Sequence, residues 1–429
     1  MNAKIPTSIP SLKGQLLAWA SQFEVFVLLD SNELRNASIQ TALCDYEMVL
    51  AADVAHEMGT ATSSFKELNA FTKGRYAFGH LSYDLKNELE NLSSKNFDGV
   101  SFPEAYFFEP KHIVGITGSG EICILKSEQP AECIRQQILA ASYQVVESKA
   151  KTIRHRVSKQ EYIEAVKGIK QHIMRGDIYE MNYCQEFYVE DAHIDPISTY
   201  LTLTQLSPTP FACFYRLHDR YLISASPERF MLKKGPKVIS QPIKGTIRRG
   251  ENAQEDEMLK AELRNNLKEQ SENVMIVDLV RNDLSKTAKD GSVVVSELFG
   301  IYPFRQVFQM ISTVESEISD SATPVDVIRE AFPMGSMTGA PKVRAMQLIE
   351  EYEATKRGLY SGAVGYFTPD GDFDFNVIIR SILYNQANRY LSFSVGSAIT
   401  FGSSPEMEYA ECEVKAKAIV EVLTKKGSF

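Results

Sequence analysis

One stretch of the chain carries apolar residues at helical spacing with clear ends. Ile163, Val166, Ile169 and Ile173 recur every three or four residues. Ahead of them Ser158-Lys159-Gln160-Glu161 has the form of a capping box, and Gly176 stops the run. This pattern predicts a helix between Ser158 and Gly176. Upstream the periodicity is weaker, and strands are expected around Phe26 to Leu29 and Tyr106 to Ile116. A soft boundary is expected near Glu147 to Arg156, where Lys149, Lys151, Arg154 and Arg156 crowd together.

The last third reads more sharply. Ala340-Pro341 opens a helix that sets Val343, Met346 and Ile349 on one side and is expected to stop at Gly358. Ser361 to Thr368 predicts a strand, Pro369-Asp370-Gly371 a turn, and Phe373 to Tyr384 a second strand. Asn385 to Asn388 turns the chain into a third strand, Tyr390 to Phe401, completing an antiparallel meander. Ser404-Pro405-Glu406 then starts a final helix expected to reach Lys425-Lys426-Gly427. Strands grouped with strands and helices at their edges predict an α+β fold.

Composition narrows the function classes. At about 150 residues per domain, the 429 residues make two or three domains or one large two-layer unit. Lys and Arg total 46 against 55 Asp and Glu, a net charge of −9, so the chain lacks the basic footprint of a nucleic-acid or anionic-membrane binder. A small anionic substrate needs only a local cluster of donors. No apolar run reaches the ~18 residues of a membrane span, and Met1 to Gln15 carries no signal-peptide core. The six cysteines are scattered without a Cys-x-x-Cys pair, and the histidines form no metal motif. A cytoplasmic enzyme with reduced thiols is the expectation.

Three local features carry candidate chemistry. Glu269/Glu272 and Glu408/Glu411 are two Glu-x-x-Glu pairs in helical segments, so each pair shares a helix face. If the faces meet, four carboxylates suit a hard cation such as Mg²⁺; if not, they are solvated faces paired to lysines such as Lys415. Gly335 to Lys342 is a small-residue loop entering a helix, either an anion site or a structural turn, and it is not a Walker loop. Ser226-Pro227-Glu228-Arg229-Phe230 and Pro242-Ile243-Lys244-Gly245-Thr246 each follow a β-like run. They place Glu228 and Lys244 as acid and nucleophile or base, unless Lys244 is simply solvated.

Together these segments resemble the chorismate-utilising enzymes, which include anthranilate synthase component I, aminodeoxychorismate synthase component I and the isochorismate and salicylate synthases. The matching runs, in order, are Gly176 to Tyr179 with Asn182, Ser224 to Phe230, Pro242 to Thr246, Glu272 to Asp283, Phe332 to Met346, Gly358 to Tyr366, Ile378 to Ser381 and Pro405 to Lys415. Weaker echoes at Leu28 to Ser31 and Gly79 to Asp84 extend it into the N-terminal third. The resemblance implies two antiparallel sheets packed as a sandwich with helices outside. Residues 1–150 would form its N-terminal part and residues 151–429 the chorismate-binding catalytic region, as one continuous unit.

The resemblance also implies roles. Glu272 and Glu411 correspond to direct Mg²⁺ ligands, and Glu269 and Glu408 to carboxylates acting through metal-bound water. Tyr360, Arg380, Gly396 and Lys415 correspond to residues that bind the substrate's carboxylates, and Gly245, Thr246 and Thr338 to residues lining its ring. Lys244 stands where the anthranilate branch usually has Ala and the aminodeoxychorismate branch Lys. This implies amination of chorismate to 4-amino-4-deoxychorismate on the route to p-aminobenzoate and folate. Lys244 would be the nucleophile at C2, its pKa lowered by burial and nearby cation charge. Glu228 would be the general acid with a raised pKa. No Gly-x-Cys-x-Gly glutaminase elbow is present, so ammonia is expected from a separate glutamine amidotransferase subunit.

Some positions depart from the family pattern. Glu180 stands where the amidating branches have Gln and the isochorismate branch a Lys; it either pairs with a cation or activates a nucleophile, and nearby charges favour pairing. Gln309 replaces a usual His, Glu186 a usual Arg and Ala398 a usual Gly, while Gly402 and Ser404 replace acidic residues of the last loop.

Overall fold

The computed structural model describes residues 9–34, 43, 46–59, 64–146 and 152–424. Glu147 to Lys151 of the expected boundary, Met1 to Ser8, Cys44, and the Lys425 to Gly427 end of the last helix lie outside the described residues. Arg154, within that boundary, begins a two-residue strand and pairs with Glu190 at 2.7 Å.

Every ladder between strands is antiparallel, and the ladders join nineteen described strands into one network. The expected α+β arrangement of antiparallel strands with helices outside is present, and its strands are joined as one winding network. Its path runs from Val307–Glu317 through Lys237–Gln241, Arg229–Lys234, Phe373–Asn376 and Ala363–Phe367 to Ala77–Leu81. It continues through Ala105–Ile116, Met48–Glu57, Val25–Asp30, Phe211–Leu217, Arg220–Ser226, Ser381–Asn385 and Tyr390–Ile399 to Glu180–Val189.

Alternation along the strands explains why both faces are buried. In Val25–Asp30, Phe26 and Leu28 join a core under the helices, with Leu16, Ile134, Val166, Leu203 and Ile419. Val25 and Val27 join the opposite core between strand layers, with Phe107, Leu222, Met231 and Phe375. The strand Met48–Glu57 repeats the pattern, sending Met48 and Leu50 one way and Val49 and Ala51 the other. A small third core of Leu263, Phe308 and Met310 supports the Ile243–Arg248 strand region.

The helix over Lys159–Arg175 carries the expected capping box, with Gly176 left-handed at its end (φ 84°). Two other elements differ from expectation. The helix after Pro341 spans Lys342–Tyr352 and stops short of Gly358: Glu353 is extended (φ −83°, ψ 141°) and pairs, buried, with Arg357 at 2.6 Å. The strand expected over Phe373 to Tyr384 is two strands, Phe373–Asn376 and Ser381–Asn385, with different neighbours. Between them Arg380 adopts φ 52°, a left-handed value that breaks a ladder.

Candidate active site

Lys244 lies on the strand Ile243–Arg248, and its side chain is 10% exposed. Its Nζ is 3.7 Å from Glu180 Oε1, on the facing strand Glu180–Val189. Glu180 is buried, and its second oxygen, Oε2, has no hydrogen-bond partner. Burial draws the Lys244 pKa down, but the charges of Glu180, Glu272, Glu228 and Glu411 outweigh it and the net direction is upward. The expectation of a lowered pKa is therefore corrected: burial is present, but the surrounding charge is anionic rather than cationic.

Glu228 sits in the tight connection between the strands Arg220–Ser226 and Arg229–Lys234. Its amide donates to Ser226 Oγ at 3.3 Å and its carbonyl accepts from the Val377 amide at 3.0 Å, which fixes the turn. Burial pushes its carboxyl up to about 7, against opposing contributions from Ser336, Lys244 and the Ile243 backbone. Glu228 also lines a small cavity with Pro242, Gly335 and Ser336.

The two Glu-x-x-Glu pairs lie on the helices Leu267–Ser285 and Pro405–Thr424, and these faces approach each other. Lys268 lies between them, with Nζ 3.7 Å from Glu272 Oε1 and 3.8 Å from Glu408 Oε1. Glu269 reaches the Lys244 strand: a Cβ added to Gly245 would lie 3.1 Å from Glu269 Oε2, and Gly245 has φ +93°. Burial, reinforced by Glu411, raises the Glu269 pKa despite Lys268. Burial pushes Glu272 up to about 7, against the pull of Lys244 and Lys268.

The substrate-side residues form a second arm. Lys415 donates to the Gly396 carbonyl at 2.8 Å and pairs with Glu411 at 2.7 Å. Burial acts to raise the Glu411 pKa, but Lys415 prevails and holds it below its usual range. Gly396 must be glycine because a Cβ would lie 2.5 Å from Cys184 Sγ and 2.8 Å from Asn182 Oδ1. Tyr360 is buried, with its hydroxyl 3.8 Å from Cys184 Sγ. Burial lowers the Arg380 pKa, while Tyr360 and Glu411 act to raise it. Thr338 is fully buried and its carbonyl accepts from the Asn182 amide at 2.7 Å. Thr246 is the outlier, exposed on its strand and in register with the buried Gln309.

In the Gly335 to Lys342 segment a buried turn at Gly335–Met337 leads into the two-residue strand Gly339–Ala340, and Lys342 is committed to Asp283 at 2.6 Å. Glu186 has become the partner of Arg156, which donates to it at 2.9 Å, with Tyr390 and Ser392 donating as well. Two residues were not singled out from sequence. Arg357 donates to Met337 O at 2.6 Å, to Asn182 O at 2.9 Å and to Glu353, tying the Thr338 loop to the Glu180 strand. Lys268 was marked only by its place beside Glu269 and four residues before Glu272.

The oxygen-only donor set fits a hard divalent cation. Glu272 Oε1 is a buried acceptor without a hydrogen-bond partner, which is the kind of atom a cation satisfies. Among the described residues, however, no three His, Cys, Asp or Glu side chains are gathered closely enough to enclose a metal ion.

Residues 25–421 match the family model described as chorismate binding enzyme. The chain is 33% identical over 382 residues to the aminodeoxychorismate synthase component 1 of Bacillus subtilis (strain 168), covering 84% of this chain and 81% of that protein. It is 31% identical over 375 residues to the anthranilate synthase component 1 of Acetivibrio thermocellus, covering 82% and 75%. Among solved structures, anthranilate synthase component I from Streptococcus pneumoniae TIGR4 superposes with a TM-score of 0.77 at 25% identity, covering 86% of this chain and 91% of that one. Among the described residues no helix is long and apolar enough to cross a membrane.

Proposed function

The chain belongs to the chorismate-binding enzyme family, and on that premise we propose that it aminates chorismate to 4-amino-4-deoxychorismate with ammonia from a separate glutamine amidotransferase. The observation that carries this reading is Lys244, enclosed with Glu180 3.7 Å from its Nζ and influenced by the charge of Glu228. Glu180 takes the ammonium proton, leaving Nζ an electron pair for attack. Nζ bonds to C2 of chorismate as both conjugated ring double bonds shift, C1=C2 to C1=C6 and C5=C6 to C4=C5, and the C4–O bond breaks. Glu228 gives its proton to the departing hydroxyl, which leaves as water. Ammonia then bonds to C4, both double bonds return, and the C2–Nζ bond breaks, so chorismate and ammonia give product and water.

Glu272 and Glu411, with Glu269 and Glu408, would hold Mg²⁺, whose charge would offset that of the glutamates and the ring carboxylate. Arg380, Tyr360, Gly396 and Lys415 bind the substrate's carboxylates in this reading. The planar fork of Arg380 is suited to two parallel hydrogen bonds. Gly245, Thr246 and Thr338 line the ring.

The test is to incubate the purified chain with chorismate, Mg²⁺ and ammonium and to separate the products. The expected product is 4-amino-4-deoxychorismate, and Lys244→Ala reduces it to background. Accumulation of anthranilate, isochorismate or salicylate overturns the reading. Anthranilate synthesis is the second reading, favoured by the 31% identity to an anthranilate synthase component and opposed by Lys244.

A further inference from the structure

Lys268 occupies an electrostatically unfavourable place unless something nearby holds it. It is in the first turn of the helix Leu267–Ser285, where Asn266 caps the Lys268 and Glu269 amides at 3.0 and 3.2 Å. A helix N-terminus carries partial positive charge, so a lysine there is opposed by the dipole. The compensating charge comes from Glu272 on its own helix and Glu408 on the other. Those carboxylates are 10% and 4% exposed, whereas the Lys268 side chain is 49% exposed, so it reaches inward from the rim. Leu267, which precedes it, and Met407, which precedes Glu408, are both exposed, so this rim of the cluster faces solvent.

The contact neutralises the carboxylates without satisfying them. At 3.7 and 3.8 Å neither pair is a hydrogen bond, and Glu272 Oε1 keeps no hydrogen-bond partner. We propose that Lys268 is a resident counter-cation for the four-glutamate cluster, and that a divalent cation enters by displacing the Lys268 ammonium into solvent. This rests on the reading that the glutamates take a divalent cation, and it makes Lys268 a positioning residue that sets the cation's affinity. With the ammonium between the helices the carboxylates stay apart, in keeping with the absence of an enclosed three-ligand group among the described residues. With it displaced, Glu272 and Glu408 are free to close on a harder, doubly charged ion beside Glu269 and Glu411, the last of which keeps Lys415 at 2.7 Å.

The experiment uses Mn²⁺ as the probe, followed by its electron paramagnetic resonance signal, with no substrate present. Lys268→Met is expected to bind Mn²⁺ about tenfold more tightly or better, since an opposing unit charge near the ion is removed. Lys268→Arg, which keeps the charge, stays within about threefold of the unaltered protein, a difference under about 1 kcal/mol. In EDTA, Lys268→Met melts at a lower temperature, and Mn²⁺ raises its melting temperature by more than it raises that of the unaltered protein. A measurement without any substitution covers the case in which Lys268→Met does not fold. Amine labelling of Lys268, read by mass spectrometry, rises on Mn²⁺ saturation. Unchanged or weaker Mn²⁺ affinity in Lys268→Met overturns the proposal, as does labelling that is flat or falls. If the unaltered protein and both variants all fail to bind Mn²⁺, the cation reading itself falls and displacement falls with it.

Discussion

A buried carboxyl held at about 7 changes its protonation across the neutral range, and at Glu228 this sets a direction for the pH dependence of activity. The proposed role needs the protonated form. Below about 7 that form dominates, and it is lost as pH rises through 7, so product formation with saturating ammonium is expected to fall on the alkaline side. Glu228→Gln keeps the shape, removes the transferable proton and is expected to lower the rate about 10²–10⁴-fold while abolishing that alkaline limb. A pH–rate profile of both proteins checks it, and an unchanged limb in Glu228→Gln would assign the titration to another group. Lys244 pulls in the other sense: its ammonium must lose a proton before Nζ can attack, so it limits the acid side.

At the scale of elements, the Arg357–Glu353 pair lies just past a helix end and ties down the Thr338 loop. Arg357 is buried, and its fork spans a carboxylate, the loop carbonyl of Met337 and the strand carbonyl of Asn182. Arg357→Met leaves Glu353 buried without its cation and is expected to cost about 3–5 kcal/mol, read as a fall in the urea midpoint. The pair also shows the limit of reading this chain from its sequence. Glu353 and Arg357 are four residues apart, a spacing that favours helix continuation, yet the backbone leaves the helix at Glu353 and the pair forms outside it. The break at Arg380 is hidden in the same way, because Val377-Ile378-Ile379 reads as uninterrupted strand and nothing local announces a positive φ. The capping box at Ser158 was legible because its signal is entirely local. The glutamate pairs were legible as faces, but the lysine between them was not, since its partner Glu408 is 140 positions along the chain (408 − 268).

Across the whole molecule the N-terminal strands are stitched to strands that come much later. Val25–Asp30 pairs with Phe211–Leu217, and Ala77–Leu81 with Ala363–Phe367. A chain starting at Ile153 would lose these partners and strip both cores of their N-terminal members. It is expected to be insoluble or to lack cooperative thermal unfolding by circular dichroism; a soluble, cooperatively melting fragment would show that the later strands suffice. The same stitching has a consequence during synthesis. The Gly358 amide donates to the Asp84 carboxylate from 274 residues away, so at about 5–20 residues per second the early strands wait roughly a quarter of a minute to a minute for this part of the chain to be made. Throughout that interval Ala77–Leu81, buried in the finished protein, has Ala105–Ile116 on one edge, while the edge that will pair with Ala363–Phe367 has only water or a chaperone. Yield in a cell therefore depends on the supply of holding chaperones and on translation rate, two quantities that leave the stability of the finished enzyme untouched.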